Sequence, residues 1–350
     1  MSSIVKIALT GGPCSGKTET IGKIKSIYEA KGYRVYLCNE TAAELIDAGV
    51  SRDDMFEFEK AVAIKQIYDE NRILSEIKEE DKVLFLCDRG ITDCFSYVDY
   101  DKRDSFAQEI GFNCVKSWER YDAVIFLETA AINGNYVGSA QRTETQAQAV
   151  QCHNKLLEVW TGHPHLRYIE YCITLDDKIN AVRREIDCIL NSIENEIKLL
   201  IEIPKEDFFK KYKAVKCDIE QAYLLSKNGS HRIRKRGING SYLYYETVKQ
   251  RITVSKCYEY ENTITENRYN ELLKQRNPKK NIIKKNRYCF LYKSQYFELD
   301  IYSFWNDKAT LELEINQDGQ NYELPPEITV IKDVTNDKKY KNNYLAGLKL

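Results

Sequence analysis

Charged residues recur at positions i and i+2 in seven short segments of the second half of the sequence, with mostly apolar residues between them. Alternate side chains of a β-strand lie on opposite faces, so each segment would place its charges on one face. Acidic and basic side chains on one face suit a polyanion that binds together with divalent metal ions. The segments are Glu194-x-Glu196-x-Lys198, Arg232-x-Arg234, Lys249-x-Arg251, Glu259-x-Glu261, Lys285-x-Arg287, Glu298-x-Asp300 and Glu312-x-Glu314.

The two signs of charge indicate two kinds of ligand. Two carboxylates on one strand face can share Mg²⁺ or Mn²⁺, which prefer hard oxygen donors. Guanidinium groups bind phosphate oxygens through two parallel hydrogen bonds, and lysine adds a point charge. The candidate phosphate-binding residues are Arg232, Arg234, Lys249, Arg251, Lys285 and Arg287. The alternative is a sheet with one solvated face whose charges pair across strands. Seven segments with the same alternation and both signs favour an enclosed face.

Near the N-terminus, Gly11-Gly12-Pro13-Cys14-Ser15-Gly16-Lys17-Thr18 matches G-x-x-x-x-G-K-[ST] between a predicted strand and a predicted helix. In this context backbone N–H groups and the helix N-terminus bind the phosphates of ATP. Lys17 would reach the β- and γ-phosphates, and the Thr18 hydroxyl would bind Mg²⁺. Asp88 follows another apolar strand, where a second carboxylate directed at Mg²⁺ is expected. The alternative for Asp88-Arg89-Gly90 is a simple turn.

Composition narrows the classes of function. The formal net charge is −1, so no basic field indicates nucleic-acid or membrane binding. No apolar stretch is long enough to span a membrane. The eleven cysteines show no C-x-x-C spacing, which favours reduced thiols in a cytoplasmic protein. We therefore expect small-molecule phosphate substrates; no pattern specifies an oligomeric state.

The chain length of 350 residues fits two domains. The first part alternates strands and helices, which is typical of a parallel sheet with helices on both faces. Its predicted strands are 4–9, 35–38, 82–87, 123–127 and 167–170, and its predicted helices are 16–31, 42–48, 54–76, 93–109, 145–161 and 176–190. The second part has an antiparallel β pattern, with strands predicted at 193–202, 218–225, 230–236, 241–252, 256–263, 282–291, 295–302 and 308–315.

Eight strands is a number at which a barrel interior holds one small ligand. If the sheet closes, the charges line its interior and the apolar side packs against helices near 205–213, 264–276 and 337–347. We therefore predict an α/β parallel-sheet P-loop domain over 1–190, followed by an α+β eight-stranded antiparallel β-tunnel domain over 191–350.

The first domain resembles P-loop proteins of the nucleoside- and nucleotide-kinase type, including ribosylnicotinamide kinases. The resemblance rests on Gly11–Thr18, Asn39-Glu40-Thr41-Ala42, Asp88-Arg89-Gly90 and Arg142. It implies that Glu40 faces the acceptor, that Asp88 assists Mg²⁺ or the acceptor hydroxyl, and that Arg142 clamps phosphates. Read without the resemblance, Glu40 is a solvated residue at a helix start and Arg142 a surface residue.

The charged segments resemble the triphosphate tunnel metalloenzymes, or CYTH family, which includes bacterial adenylyl cyclases and thiamine triphosphatases. The family signature E-x-E-x-K corresponds to Glu194-Asn195-Glu196-Ile197-Lys198, and its later landmarks follow in order through 193–346. The family's E-V-T segment corresponds to Asp333-Val334-Thr335, with aspartate in place of glutamate. A P-loop domain ahead of this fold also resembles a known eukaryotic arrangement.

This resemblance implies divalent-metal-dependent hydrolysis of inorganic tripolyphosphate, pyrophosphate or a nucleoside triphosphate. Lys198 would contact the phosphate near the reacting centre, and Glu259 or Glu314 would accept the proton of the attacking water. The implied metal ligands are Glu194, Glu196, Glu261, Glu312 and Glu314. Two alternatives stay open: a class IV-type adenylyl cyclase on the same tunnel, and a nucleotide-gated sensor or regulatory protein without turnover.

Overall fold

A computed structural model describes residues 4–78, 82–136, 144–191, 196–226, 229–251, 257–315 and 321–348, with the backbone alone at 249–251 and 257–259. The chain divides into two compact units, Met1–Leu190 and Asn191–Leu350. The order of a parallel α/β unit followed by an antiparallel β unit confirms the predicted fold class.

The first unit contains a parallel sheet in the order β2-β3-β1-β4-β5, counting the strands found in its described residues. The strands are β1 Ile4–Gly11, β2 Arg34–Cys38, β3 Val83–Asp88, β4 Ala123–Leu127 and β5 Leu166–Ile169. The helices are α1 Lys17–Ala30, α2 Thr41–Asp47, α3 Met55–Glu76, α4 Cys94–Tyr97, α5 Arg103–Ile110, α6 Cys114–Ser117, α7 Gln146–Trp160 and α8 Leu175–Leu190.

Burial on both faces of the sheet explains why its central strands are continuous apolar runs. One face packs against α1 and α8 through a core that includes Ile24 and Val182. Because β1 and β3 are parallel and in register, with Leu9 beside Asp88, their carboxyl ends meet at one edge. That edge is where the glycine-rich loop leaves β1.

The single helix predicted over 93–109 is wrong. The segment forms α4 and α5 with a break between them, and Val98 in the break has an extended backbone (φ −90°, ψ 135°). In one straight helix, Phe95 and Phe106 would lie about 16 Å apart along the axis. The break instead brings their rings into edge-to-face contact, with centroids 5.1 Å apart.

The second unit contains an antiparallel sheet in the order β10-β9-β8-β7-β11-β12-β13-β6-β14 within the described part of the chain. Its strands are β6 Glu196–Glu202, β7 Val215–Tyr223, β8 Ser230–Ile238, β9 Ser241–Arg251, β10 Cys257–Ile264, β11 Ile283–Tyr292, β12 Gln295–Tyr302, β13 Lys308–Glu314 and β14 Val330–Asp333. Its helices are α9 Glu206–Lys211, α10 Glu266–Lys274 and α11 Asn342–Leu345.

The described sheet has nine strands, one more than the eight predicted. The additional strand, β14, pairs with β6 on the side away from β13. β14 has four residues, and all of them are exposed. It therefore lacks the buried side chains that the other strands have, whether in alternation or in a continuous run. The segment after it continues along the edge of β6, because the Lys198 N–H donates to Thr335 Oγ1 at 3.0 Å and the Val334 N–H donates to the Lys198 carbonyl at 2.9 Å.

One face of the second sheet is an apolar core. Leu199, Leu299 and Leu311 pack there against Phe208 of α9, which also meets Phe290 edge-to-face at 5.2 Å. At another part of the sheet, α10 covers this same side of β7, β8 and β9. The apolar residues that alternate with the charged residues in the predicted strands therefore pack under helices.

Phe208→Ala should destabilise the second unit by about 3–5 kcal/mol, because it removes a buried ring that the surrounding side chains cannot replace. Urea unfolding followed by circular dichroism would measure the change. Tyr260→Ala, at an exposed ring, is the control and should change stability by less than about 0.5 kcal/mol. Equal effects of the two substitutions would contradict the packing of α9.

Candidate functional sites

The loop between β1 and α1 has backbone conformations that require glycine. Gly11 has φ +145°, and a Cβ there would lie 2.2 Å from the Leu127 carbonyl oxygen. Gly16 has φ +76° and sits at the N-terminus of α1. Left-handed backbone and close approach to neighbouring main chain are the reasons for glycine in such loops. The conformation leaves backbone N–H groups and the start of a helix available to an anion.

Lys17 folds back over this loop. Its Nζ donates to the Gly11 carbonyl at 2.8 Å, to the Gly12 carbonyl at 3.3 Å and to Ser15 Oγ at 3.2 Å. Burial, followed by the charge of Arg89, lowers the pKa of Lys17 to about 8. A bound phosphate would favour the charged form of this lysine. Thr18, the expected Mg²⁺ ligand, is exposed in the first turn of α1.

Asp88 ends β3 beside the loop, and its carboxylate is buried. Burial raises its pKa, and its Oδ1 has no hydrogen-bond partner among the described residues. A hard cation such as Mg²⁺ fits an oxygen donor of this kind, together with the Thr18 hydroxyl. Arg89 has φ +72°, and its Nε donates to Glu40 Oε1 at 2.7 Å. The structure thus brings Glu40, Asp88 and Lys17 together, whereas Arg142 lies outside the described residues.

Two buried acids in this region were not found from the sequence. Asp93 accepts a hydrogen bond from Thr10 Oγ1 at 2.6 Å and another from Trp160 Nε1, and it also faces Arg89 Nη1 at 3.4 Å. Glu59 of α3 is buried, and burial raises its pKa to about 7, although the charge of Arg89 opposes that shift. No spacing marks either residue, because their partners lie far away in the sequence.

In the second unit, strand register places the predicted charged residues on one side of the sheet. Lys198 is opposite Glu312, Glu298 is also opposite Glu312, and Arg287 is opposite Asp300. We call this side the ionic face. Its described charged members are Glu196, Lys198, Arg232, Arg234, Arg236, Glu261, Lys285, Arg287, Glu298, Asp300, Glu312 and Glu314.

The centre of the ionic face is buried, with Lys198 at 5%, Lys285 at 5% and Asp300 at 0% exposure. A solvated face would expose such side chains, so the alternative of an open polar face is wrong at the centre. The outer edge differs, because Glu196 and Glu314 are exposed there and pair in register.

Ion pairs cross the strands at this centre. Arg287 donates from Nε to Asp300 Oδ1 at 2.7 Å and from Nη2 to Asp300 Oδ2 at 2.7 Å, and Nη2 also reaches Glu312 Oε2 at 2.6 Å. Lys198 Nζ donates to Glu312 Oε1 at 2.6 Å. Lys285 pairs with Asp300, and Arg287 with Glu298. Every acid named here has a cationic partner, as burial of charge requires.

These contacts shift the pKa values in opposite directions. Burial acts to raise the pKa of Glu312, but the charges of Lys198 and Arg287 outweigh it and hold that pKa well below its usual range. Burial, followed by the charge of Arg287, lowers the pKa of Lys285 to about 8 in spite of its contact with Asp300. We attribute the lowered pKa of Lys285 to competition for Asp300, because Arg287 already donates to both oxygens of that carboxylate.

Arg234 differs from the other cations. Its guanidinium forms no ion pair or hydrogen bond within the described residues. Burial and the neighbouring charge of Arg232 lower its pKa. Arg232 itself faces Glu261 Oε2 at 3.4 Å, which also accepts from Thr247 Oγ1 at 2.6 Å. The charge of Glu261 opposes the shift in the pKa of Arg234. A partly buried guanidinium without an ion pair is suited to an anionic ligand.

Some predicted site residues cannot be placed. Glu194 lies outside the described residues, as do the side chains of Lys249, Arg251 and Glu259. In the described part, no three His, Cys, Asp or Glu side chains form a group that could hold a metal ion. The carboxylates of Glu196, Glu312 and Glu314 supply the hard oxygen donors that Mg²⁺ or Mn²⁺ would need, and they lie on neighbouring strands.

The sequence analysis did not identify Arg236 as a member of the ionic face. It is 2% exposed, and its Nη2 lies 3.6 Å from Glu298 Oε1 and 3.8 Å from Cys289 Sγ. The signal was present, because Arg236 continues the alternation of Arg232 and Arg234 along β8.

Comparison with family models matches one part of the chain. Residues 6–173, just under half of the chain, match the family model described as an AAA domain. Among curated proteins, none matches the chain. In the described part of the chain, no helix has both the length and the apolar character needed to cross a bilayer.

Solved structures that resemble the chain include the inorganic triphosphatase NE1496, with 26% identity over 45% of this chain and 95% of that protein, and a TM-score of 0.33. PH1012 from Pyrococcus horikoshii OT3 has 23% identity over 34% and 78% of the two chains, with a TM-score of 0.26. HpAC1 from Hippeastrum, studied as an adenylyl cyclase and showing a dominant triphosphatase activity, has 13% identity over 35% and 80%, with a TM-score of 0.27. Because all three TM-scores are below 0.5, these likenesses assign no activity or substrate to this chain.

Glu59→Gln should change how stability depends on pH. The pKa of Glu59 is raised from 4.5 to about 7 in the folded protein. The folded state therefore favours the neutral acid, and its contribution to the free energy of unfolding is fully present below the unfolded pKa. That stability is lost as the pH rises towards 7 and above. At pH 8 the variant should therefore be more stable than the parent by about 1–3 kcal/mol, with little difference near pH 4.

Denaturant unfolding at pH 4, 6 and 8 would measure this difference. Glu57→Gln, at an exposed position of the same helix, is the matched control and should show no such trend. A constant difference between parent and Glu59→Gln at all three values would contradict a buried neutral acid.

Asp300→Asn should destabilise the second unit by about 3–5 kcal/mol, because it leaves Arg287 and Lys285 buried with one anion fewer. Chemical denaturation would measure the loss. Asp307→Asn, which removes an exposed carboxylate, is the control with the same chemical change. A loss below about 1 kcal/mol would show that the central ion pairs are not coupled as described.

Proposed function

We propose that the second unit hydrolyses a triphosphate-type substrate, which is inorganic tripolyphosphate, pyrophosphate or a nucleoside triphosphate, in a divalent-metal-dependent reaction. The observation that carries this proposal is the buried ionic face, in which Arg234 has no anionic partner among the described residues. A row of cations on neighbouring antiparallel strands matches a chain of phosphates better than a single anion.

The charge balance of the ionic face supports the need for metal. Its described members include six cations and six carboxylates, as named above, so the face is close to neutral. A polyphosphate alone would make this enclosed region strongly negative. Divalent ions that enter with the substrate would restore neutrality, which burial in a low-dielectric site requires.

In this proposal Glu194, Glu196, Glu261, Glu312 and Glu314 hold Mg²⁺ or Mn²⁺. When bound, such an ion neutralises phosphate charge and makes the attacking water more acidic. Lys198, held at 2.6 Å by Glu312, would turn to the phosphate near the reacting centre. Glu259 would accept the proton of the attacking water.

The basic residues have a binding and electrostatic role. Arg232, Arg234, Lys249 and Arg251 come from β8 and β9, and Lys285 and Arg287 come from β11. Arg287 is held by three carboxylates, those of Asp300, Glu312 and Glu298, so its orientation is set before any ligand binds. Preorganised cations of this kind stabilise the charge that develops on a leaving phosphate.

For the first unit we propose binding of ATP and transfer of phosphate to a small-molecule acceptor. The residues Gly11 to Thr18 would hold the phosphates, Asp88 and Thr18 would hold Mg²⁺, Arg142 would clamp the phosphates and Glu40 would face the acceptor. The buried Asp88 oxygen beside Lys17 supports this assignment, because both groups face the end of β1 where the loop begins.

A phosphate-release assay with Mg²⁺ or Mn²⁺ on the intact chain tests both assignments. Glu194→Ala combined with Glu196→Ala, and separately Arg234→Gln, should lower tripolyphosphate hydrolysis about 100-fold or more. Lys235→Gln is the matched control, because Lys235 is the next residue on β8 and lies on the opposite face, against Tyr242. Removal of divalent ions by chelation should abolish the reaction.

Lys17→Ala should leave tripolyphosphate hydrolysis unchanged while it abolishes ATP turnover by the first unit. Loss of tripolyphosphate hydrolysis in Lys17→Ala, with full activity in the Glu194→Ala and Glu196→Ala variant, would overturn the assignment to the ionic face. Formation of cyclic AMP from ATP would indicate a cyclase, and nucleotide binding without turnover a sensor.

A further inference from the structure

Donors from outside the glycine-rich loop cap its carbonyl groups. Thr129 Oγ1 donates to the Pro13 carbonyl, the Ala130 N–H donates to the Cys14 carbonyl at 3.3 Å, and Lys178 Nζ donates to the Ser15 carbonyl at 2.7 Å. In a trans peptide the C=O and N–H groups point in opposite directions. When these carbonyls point away from the centre of the loop towards their donors, the N–H groups of the same peptides point towards the centre of the loop. Of the three donors, Lys178 alone carries a charge.

Lys178 lies in the first turn of α8 and is 8% exposed. The Ser15 carbonyl is its hydrogen-bond partner, and no carboxylate forms an ion pair with it within the described residues. Burial lowers the pKa of Lys178, although the charge of Glu19 opposes that shift. Burial of an ammonium group without an ion pair is unfavourable. A site that keeps such a charge is therefore suited to a nearby anionic ligand.

Lys178 lies close to the backbone of Gly16. A Cβ on Gly16 would lie 3.0 Å from Lys178 Nζ, and the backbone there has φ +76°. Lys178 Nζ consequently sits directly against the peptide that joins Ser15 to Gly16. A hydrogen bond to a carbonyl polarises its whole peptide, so the N–H on the other side becomes a stronger donor.

From this geometry we infer that Lys178 is a positioning residue for the nucleotide phosphates at the P-loop. It acts through the Ser15–Gly16 peptide, whose N–H it strengthens as a donor to a phosphate oxygen, and it adds positive charge behind the loop. This inference rests on the proposed binding of nucleotide by the first unit. It assigns a function to α8 that the sequence motif does not contain.

A positioning role and a merely structural role predict different dependence on ligand charge. If Lys178 only holds the loop in shape, its loss weakens all nucleotides by the same factor. If its charge acts through the peptide, the loss grows with the charge of the phosphate chain. The ratio of ATP affinity to ADP affinity is therefore the decisive quantity.

The test is calorimetric titration of the intact chain with Mg²⁺-ATP and Mg²⁺-ADP. The binding that Lys17→Ala abolishes is the binding that belongs to the loop. Lys178→Met should weaken this binding about tenfold for ATP and about threefold for ADP, whereas Lys178→Arg should restore the parental ratio of the two affinities. Lys23→Met, at an exposed position of α1, is the matched control and should change neither affinity.

Thermal unfolding of each variant separates binding from folding. Equal losses for ATP and ADP in Lys178→Met, or no loss for either, would overturn the inference. If the parent chain binds neither nucleotide, the proposed function of the first unit fails and this role fails with it. A third outcome is that the parent binds nucleotide, Lys17→Ala abolishes the binding and Lys178→Met has no effect. That outcome would support the proposed function of the first unit and overturn the role of Lys178.

Discussion

The pairing of Arg287 with Asp300 is the interaction on which the second unit depends. Both faces of its sheet are covered at the centre, so the charged side chains there must neutralise one another. Asp300 is fully buried and accepts from Arg287 through both of its oxygens, and Arg287 continues to Glu312. These contacts join β11, β12 and β13. A register slip of one residue would move all of these charges into the apolar core under α9, so the ion pairs and the core specify the same register.

In the first unit, the main constraint is the backbone of one loop. Gly11 and Gly16 adopt conformations that other residues rarely adopt, and the carbonyl of Leu127 leaves no room for a side chain at residue 11. The neighbouring carbonyls are then occupied by Lys17, Thr129 and Lys178. Since all these acceptors have partners, an incoming anion meets mainly donors. In the proposed function, this loop would bind an anion through peptide groups, which carry no net charge.

The sequence predicted those parts of the structure that local periodicity encodes. Alternation of charged and apolar residues is a property of each strand by itself, so Lys198, Arg287 and Glu312 were assigned to one face correctly. Contacts between distant residues have no such signal. Lys178 and Ser15 are 163 positions apart, and Thr10 and Asp93 are 83 apart, so only the tertiary fold brings each pair together. The short strand β14 was missed for a related reason, since exposed side chains on both of its faces erase the alternation.

In the proposed functions, the two sites would bind anions by different physical means. At the loop, peptide dipoles and two lysines attract phosphate with few acidic groups to displace. On the ionic face, most cations are already bound to carboxylates, and a phosphate that takes Arg287 or Lys198 must release Asp300 or Glu312 from its partner. A released buried carboxylate is unfavourable unless another cation replaces the first. A divalent ion beside the substrate would supply that cation. It follows that metal and phosphate should bind the ionic face cooperatively, whereas the loop should bind phosphate with a weaker dependence on metal.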